Sequence, residues 1–337
     1  MPRQSTKNPK DELNDFLRTK EYVKYVNILK KIKVKDIDSP FETLAIKESE
    51  KLRTNTVLDD LLGVGGGVSA GSLVELYGGY GSAKTQTLET MVAEASQVGT
   101  VMYIDSEFTW CPERQDQICK ARNLDVELMH KNFMICRPED YEEQLAKILT
   151  LPSPLDLASM DRPPFKLICV DSLLALVDDS RDFSGREKLP TRARIIRDML
   201  HALRKHAIAN KCAVVFTNQV SAVPDVTKFM ASYQKEQGTG GNVTRHKPDI
   251  VLYYRRTKDP IRIARLMDSS SLPVGERVFM INEKGIDDIP DGDQAKWMQE
   301  MNTSSVDYTK IIDEVQSEDA EIDEIVDNAE VEDVVEE

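Results

Sequence analysis

The sequence predicts an α/β fold with a largely parallel central sheet flanked by helices, and three observations predict it. Residues 74–92 read as a short buried strand, a glycine-rich loop and the start of a helix. The apolar runs TVMYID (100–105) and FKLICV (165–170) have the length of buried strands, and each leads into an aspartate. A further run, CAVVF (212–216), delivers Thr217, Asn218 and Gln219. Open sheets of this kind bind ligands beyond the carboxyl ends of their strands. A chain of 337 residues is long enough for one large α/β domain with appendages, or for two small domains.

The glycine-rich loop is Gly78, Gly79, Tyr80, Gly81, Ser82, Ala83, Lys84 and Thr85, followed by Gln86, and it has the length and ending of a P-loop. Successive backbone N–H groups at a helix N-terminus wrap a triphosphate, because the helix dipole favours negative charge there. Lys84 would reach the β- and γ-phosphates, and the Thr85 hydroxyl would bind magnesium. ATP and magnesium are therefore the expected ligands. One letter departs from the pattern: Ala83 stands where glycine is used because the backbone approaches phosphate closely and because glycine is free to take φ > 0, which alanine enters only with strain. The alanine form is similar to that of the minichromosome-maintenance helicases. A simple glycine-rich turn is the competing reading, and the order strand, loop, Lys-Thr, helix favours the P-loop.

Glu107 follows the 100–105 strand, where a base must sit to orient an attacking water; a helix-capping acid is the alternative for the same residue. Asp171, ending the 165–170 run, reads as the acid that holds the magnesium shell. Gln219, at the same edge, offers an amide that senses a γ-phosphate and passes the signal to the next loop.

That next loop, 220–248, carries Lys228, Lys235, Gly238, Gly240, Gly241, Arg245, His246 and Lys247. An earlier loop, 180–197, carries Arg181, Phe183, Gly185, Arg186, Lys188, Arg192, Arg194 and Arg197. Basic residues interleaved with an aromatic and glycines suit a single-stranded nucleic acid backbone, and solvated surface loops are the plainer alternative. Strands at 250–255, 262–266 and 277–281 complete the sheet.

The net charge of −14 is unevenly spread: residues 313–337 hold thirteen Asp or Glu and no Lys or Arg, leaving the rest near −1. Local basic clusters then decide the partners. The tail is expected to be disordered and solubilising, with a decoy role against DNA as the alternative. Residues 1–45 show apolar positions at helical spacing, read as one or two amphipathic helices, and 294–301 as one further helix. The longest apolar run, 167–177, is interrupted by Asp171, and the N-terminus is polar, so neither a membrane span nor a secretory signal is expected. Five cysteines without paired metal-ligand spacing suit a cytoplasmic protein, with Cys169 in the core.

In combination, LYGGYGSAKTQ, YIDSEFTWCPER, FKLICVDSLLAL, DFSGREKLPTRAR, AVVFTNQVSAVPD, GTGGNVTRH and RIARLMDSSSLPVGERVFMI resemble the RecA-type recombinases of the archaeal RadA group and their eukaryotic relatives, over residues 51–292. The resemblance implies a RecA-like ATPase core there, with a helical extension at 1–50 and a polar to acidic tail at 293–337. It implies that Glu107 activates water, Arg114 stacks on adenine, Asp171 is the Walker B acid and Gln219 the γ-phosphate sensor. It further implies that Arg186 and Arg192 in one loop, and Lys228, Gly240 and Gly241 in the other, meet DNA. His246, Asp268 and Pro273 match positions that meet nucleotide at a subunit interface. Departures are Ala83, Cys111 in place of arginine, larger residues around His246, and no glycine-rich hairpin in 1–50. The implied function is a DNA-dependent ATPase of homologous recombination and repair, with single-stranded DNA, and double-stranded DNA as a further candidate, for partners. It would work as a homo-oligomer or filament, or in assembly with another recombinase. A paralogue that binds ATP and modulates the main recombinase is one alternative, and a KaiC-type regulatory ATPase another.

Overall fold

A computed structural model of the chain describes residues 51–183, 185–222, 236–241, 244 and 246–290. The helices expected in 1–45 and 294–301, the acidic tail, Lys228 and Arg245 lie outside the described residues. By internal contacts the chain divides into two units, Met1–Asp288 and Ile289–Glu337. All elements below belong to the first.

In chain order these are β1 (Lys51–Leu52), a 3-10 turn (Val57–Leu61), β2 (Val68–Ser69), β3 (Leu73–Gly78), α1 (Lys84–Ala95), β4 (Thr100–Asp105), α2 (Pro112–Ala121), α3 (Val126–Asn132) and β5 (Phe133–Cys136). There follow α4 (Tyr141–Leu149), α5 (Pro154–Ser159), β6 (Phe165–Asp171), α6 (Ala175–Asp179), 3-10 turns at Arg181–Phe183 and Arg186–Lys188, α7 (Leu189–Asn210) and β7 (Ala213–Asn218). The last strands are β8 (Val220–Ala222), β9 (Glu236–Gly238), β10 (Ile250–Arg256), β11 (Ile261–Ser269), β12 (Glu276–Asn282) and β13 (Gly285–Asp287).

The main sheet runs β13-β12-β11-β10-β3-β7-β6-β4-β5. From β10 to β5 every pairing is parallel, and β11, β12 and β13 extend the sheet antiparallel. The parallel strands read as unbroken apolar runs because both faces are covered. Alternate residues go to opposite layers: Met102, Ile104, Ile168, Val170, Val214 and Phe216 join the cluster with Met199 and Leu203 of α7. Val101, Tyr103, Leu167, Cys169 and Val215 join the other, with Leu88, Met91 and Val92 of α1. Parallel pairing sets β3, β7, β6 and β4 side by side, so their carboxyl ends meet at one edge.

The two basic loops of the sequence reading are partly regular structure. The segment 180–197 is mostly not a loop: after two 3-10 turns, α7 begins at Leu189, so Arg192, Arg194 and Arg197 are helical. Pro190 in its first turn lacks only an N–H that a helix start leaves unpaired. The 220–248 loop is not wholly irregular either, since β8 and β9 pair antiparallel, Val220 opposite Gly238. No helix of the described residues is long and apolar enough to cross a membrane.

Candidate nucleotide-binding site and the basic segments beside it

The loop between β3 and α1 forms one wall of a cavity of about 430 Å3, a size usual for a small-molecule site. Gly78 through Gln86 line it, and so do Glu107 beyond β4, Asp171 at the end of β6 and Gln219 beyond β7. Residues from four strand ends, 141 positions apart at the extremes (78 to 219), thus face one volume.

Lys84 Nζ donates to Gly78 O at 2.7 Å and Gly79 O at 3.0 Å. Burial pulls its pKa down from the usual lysine value, opposed by the nearby Asp171 and Glu107 carboxylates. Ser82 Oγ, also lining the cavity, is buried without a hydrogen-bond partner among the described residues.

Ala83 is the N-cap of α1 and sits at φ 87°, ψ 15°, the left-handed backbone that glycine enters freely. Its carbonyl accepts from Thr87 N and Thr87 Oγ1, each at 2.9 Å. Left-handed alanine costs about 1–2 kcal/mol. Against this, glycine loses about 0.4–1 kcal/mol more chain entropy on folding, and the buried methyl is worth about 0.8 kcal/mol. Ala83→Gly is therefore expected to be near neutral, moving the melting temperature by less than about 4 °C. Ala83→Val, whose branched side chain is an outlier at this φ, is expected to lower it clearly. Equal melting of all three proteins in a thermal scan would refute the strain.

Asp171 is 1% exposed and gathers three hydroxyls. Thr85 Oγ1 and Tyr103 OH donate to its Oδ2, each at 2.8 Å, and Thr217 Oγ1 donates to Oδ1. Burial raises its pKa above the usual aspartate value, and the three hydroxyls oppose the shift. The sequence reading places Tyr103 in a strand and Thr217 at the site edge, and pairs neither with Asp171. The two-residue strand period is their only signal.

The turn that carries Glu107 is fastened from both sides. Ser106 N and Glu107 N donate to Asp171 O at 2.9 and 3.3 Å, and Ser106 Oγ to Ser172 O at 2.6 Å. Beyond it, the buried Asp105 carboxylate accepts from Thr109 N at 3.0 Å and Trp110 N at 3.2 Å. The capping alternative for Glu107 fails, because α2 starts at Pro112 with Cys111 as N-cap and Glu113 in its first turn.

Arg114 does not line the cavity. Its guanidinium donates to Gln86 Oε1, Gln117 Oε1 and Asn282 O. Arg262, which the sequence reading placed only as part of a strand, does line it. It is 6% exposed, donates to Gly81 O at 2.8 Å and pairs with Asp259.

Two buried glutamates stand behind the site. Burial pushes Glu75 up to about 7, against the Asn218 hydrogen bond. Burial also pushes Glu89 up to about 7, with Arg114 opposing. A carboxyl whose folded pKa is raised binds protons that the unfolded chain has released. Its stabilisation is complete below about 4.5 and is lost as pH rises through about 7. Unfolding free energy is expected to fall between pH 5 and 7.5, by at most about 3 kcal/mol per carboxyl. Urea titrations of wild type and the Glu75→Gln, Glu89→Gln double variant test this: the variant should lose most of the slope, and an unchanged slope refutes the assignment.

The basic segments are only partly as expected. Phe183 is 8% exposed and packs edge-on against Tyr141, centroids 4.9 Å apart, so it is not available to stack on a base. Arg192 Nη2 is paired with Asp178. Arg186 belongs to the second 3-10 turn. Gly240 and Gly241 follow β9 with φ 96° and 61°. His246, Asp268 and Pro273 are exposed and lie outside the cavity described here. Pro273 borders a second hollow of about 760 Å3, with Gly63 through Gly66.

The family model described as Rad51 matches residues 48–289. The chain is 35% identical over 258 residues to "Meiotic recombination protein DMC1 homolog A" of Oryza sativa subsp. japonica, covering 74% of this chain and 72% of that one. It is 33% identical over 258 residues to "DNA repair and recombination protein RadA" of Aeropyrum pernix, covering 74% and 76%. It is 34% identical over 256 residues to "Meiotic recombination protein DMC1 homolog" of Lilium longiflorum, covering 73% and 70%. A model match over most of the chain, with relatives above 30% identity across more than two thirds of each partner, makes this chain a member of the Rad51 family.

Proposed function

We propose that this protein is an ATPase of homologous recombination and DNA repair whose turnover is stimulated by single-stranded DNA. One observation carries the reading: Lys84, Thr85, Glu107, Asp171 and Gln219, contributed by four strand ends, line one cavity behind a P-loop. The names of the relatives, which speak of recombination and repair, support its biological half.

The residues present fit ATP and magnesium. The loop opens a helix N-terminus, with the Lys84 ammonium beside it and a buried Ser82 hydroxyl that has no partner among the described residues. Thr85 Oγ1 and Asp171 Oδ2 lie 2.8 Å apart, the small oxygen donor set that suits a magnesium ion held chiefly by phosphates and water. Among the described residues no cluster of three or more His, Cys, Asp or Glu side chains offers a fuller metal site. Magnesium, when bound, neutralises charge on the β- and γ-phosphate oxygens.

In this reading Glu107 takes the proton of the attacking water as its oxygen bonds to the γ-phosphorus in line with the departing ADP oxygen. Lys84 stabilises the charge that develops. Gln219 contacts the γ-phosphate and loses that contact on cleavage, which biases the loop that follows β8. Arg114 would stack on adenine. Arg186, Arg192, Lys228 and the Gly240-Gly241 turn would meet DNA, Arg192 by exchanging its Asp178 partner for phosphate. His246, Asp268 and Pro273, all exposed, would meet a neighbouring copy in a filament.

A phosphate-release assay tests the proposal: turnover should rise when single-stranded DNA is added, and hydrolysis indifferent to DNA would count against it. The strain at Ala83 favours one second reading, a relative that binds ATP and modulates another recombinase. Tight ATP binding without stimulated turnover is its signature.

A further inference from the structure

The strand that leads into the P-loop, LVELYG, carries one charged residue, Glu75, and it is 2% exposed. The reaction above does not use it. Its carboxyl oxygen Oε1 accepts from Asn218 Nδ2 at 2.9 Å. Asn218 is fully buried at the end of β7, one residue before Gln219.

The Asn218 amide is engaged on both sides. Its nitrogen also donates to Thr239 O at 2.7 Å. Its oxygen accepts from Gln219 N at 2.9 Å and from Thr239 Oγ1 at 2.5 Å. Thr239 N in turn donates to Gln219 O at 2.9 Å. Gln219 precedes β8 and Thr239 follows β9, so this one amide fastens both ends of the β8–β9 hairpin to each other. The hairpin rests directly on the carboxyl group. A Cβ at Gly238 would lie 3.0 Å from Glu75 Oε1, so no larger residue fits without displacement.

An amide presents two faces that differ only in donor and acceptor. Turned over, Asn218 would aim its oxygen at the Glu75 and Thr239 O oxygens and its NH2 at the Gln219 N–H, losing three of its four bonds. An acceptor at position 75 therefore acts together with Thr239 O to select the orientation that gives Gln219 N its partner.

We propose that Glu75 is a positioning residue: by accepting from Asn218 it orients the amide that holds Gln219 and Thr239, and so ties the P-loop strand to the start of β8 and the end of β9. The inference rests on the reading of Gln219 as the γ-phosphate sensor. Loss of the tie should spare ATP binding and uncouple turnover from DNA.

The test compares wild type, Glu75→Leu, Glu75→Gln and Thr239→Val in the full chain. Each is assayed for affinity for a fluorescent ATP analogue, phosphate release with and without single-stranded DNA, and amide hydrogen exchange. Glu75→Leu should keep its nucleotide affinity and lose about tenfold in DNA stimulation, the size of a typical coupling between two sites. Exchange at Gln219 and Thr239 should accelerate. Glu75→Gln, which retains an acceptor oxygen, should restore both readouts, and Thr239→Val should fall between. Wild-type stimulation and exchange in Glu75→Leu overturn the proposal, and so does a Glu75→Gln protein as impaired as Glu75→Leu. If Glu75→Leu does not fold, Thr239→Val decides, with unchanged exchange at Gln219 overturning the proposal. A wild type that DNA fails to stimulate sinks the ATPase reading instead, and the exchange rates still decide the positioning role.

Discussion

Lys84→Ala is expected to cut phosphate release by about a hundredfold or more, the usual loss when one preorganised donor is removed from a transition state. The ammonium is held at the loop by two carbonyls and flanked by the carboxylates of Asp171 and Glu107. Among the described residues no other lysine or arginine lining the cavity replaces it, since Arg262 is committed to Gly81 O and Asp259. Glu107→Gln should lower turnover comparably and leave nucleotide affinity intact, because Glu107 is assigned to the water and not to the phosphates. Turnover by single-cycle phosphate release and affinity by analogue titration separate the two. Loss of affinity in Glu107→Gln together with normal turnover at saturating ATP would reverse the assignment.

The second large effect falls on folding. Asp171→Leu strands three hydroxyls that now share one carboxylate: Tyr103 OH and Thr217 Oγ1, both on buried residues, and Thr85 Oγ1. An unsatisfied buried polar group costs about 1–3 kcal/mol, so a loss of about 3–5 kcal/mol is expected, enough to lower melting by roughly 10 °C or more. Asp171→Asn keeps an acceptor oxygen and should retain most of the stability while losing magnesium-dependent nucleotide affinity. If Asp171→Leu melts like wild type, the hydroxyls do not depend on the carboxylate. Urea and thermal unfolding of both variants make the comparison.

How much of this was legible in the chain follows from which interactions are local. The parallel strands were readable because burial on both faces leaves unbroken apolar runs; β4 came out at its observed bounds, and β6 short by Asp171 alone. The P-loop was readable because its chemistry is contiguous, and the backbone at Ala83 is left-handed where the pattern has glycine. By contrast β5, four residues long and placed directly after α3, carries too little pattern to separate from a helix end. The start of α7 is hidden in the sequence because no residue of it is buried before Ile195, so its arginines read as loop chemistry. Phe183 shows the limit of counting aromatics in a basic stretch, since Tyr141, forty-two positions upstream, buries it. Partners such as Thr217 for Asp171, or Asn218 for Glu75, depend on register between strands distant in sequence, which composition does not encode.

The most direct test of the central claim is a crystal structure with a non-hydrolysable ATP analogue and manganese, located by its anomalous signal. The account predicts the metal at the Thr85 and Asp171 oxygens, the γ-phosphate between Lys84 and Gln219, and Glu107 facing it across one water. An analogue bound with its γ-phosphate out of reach of Glu107 and Gln219, or a metal held elsewhere, would contradict it.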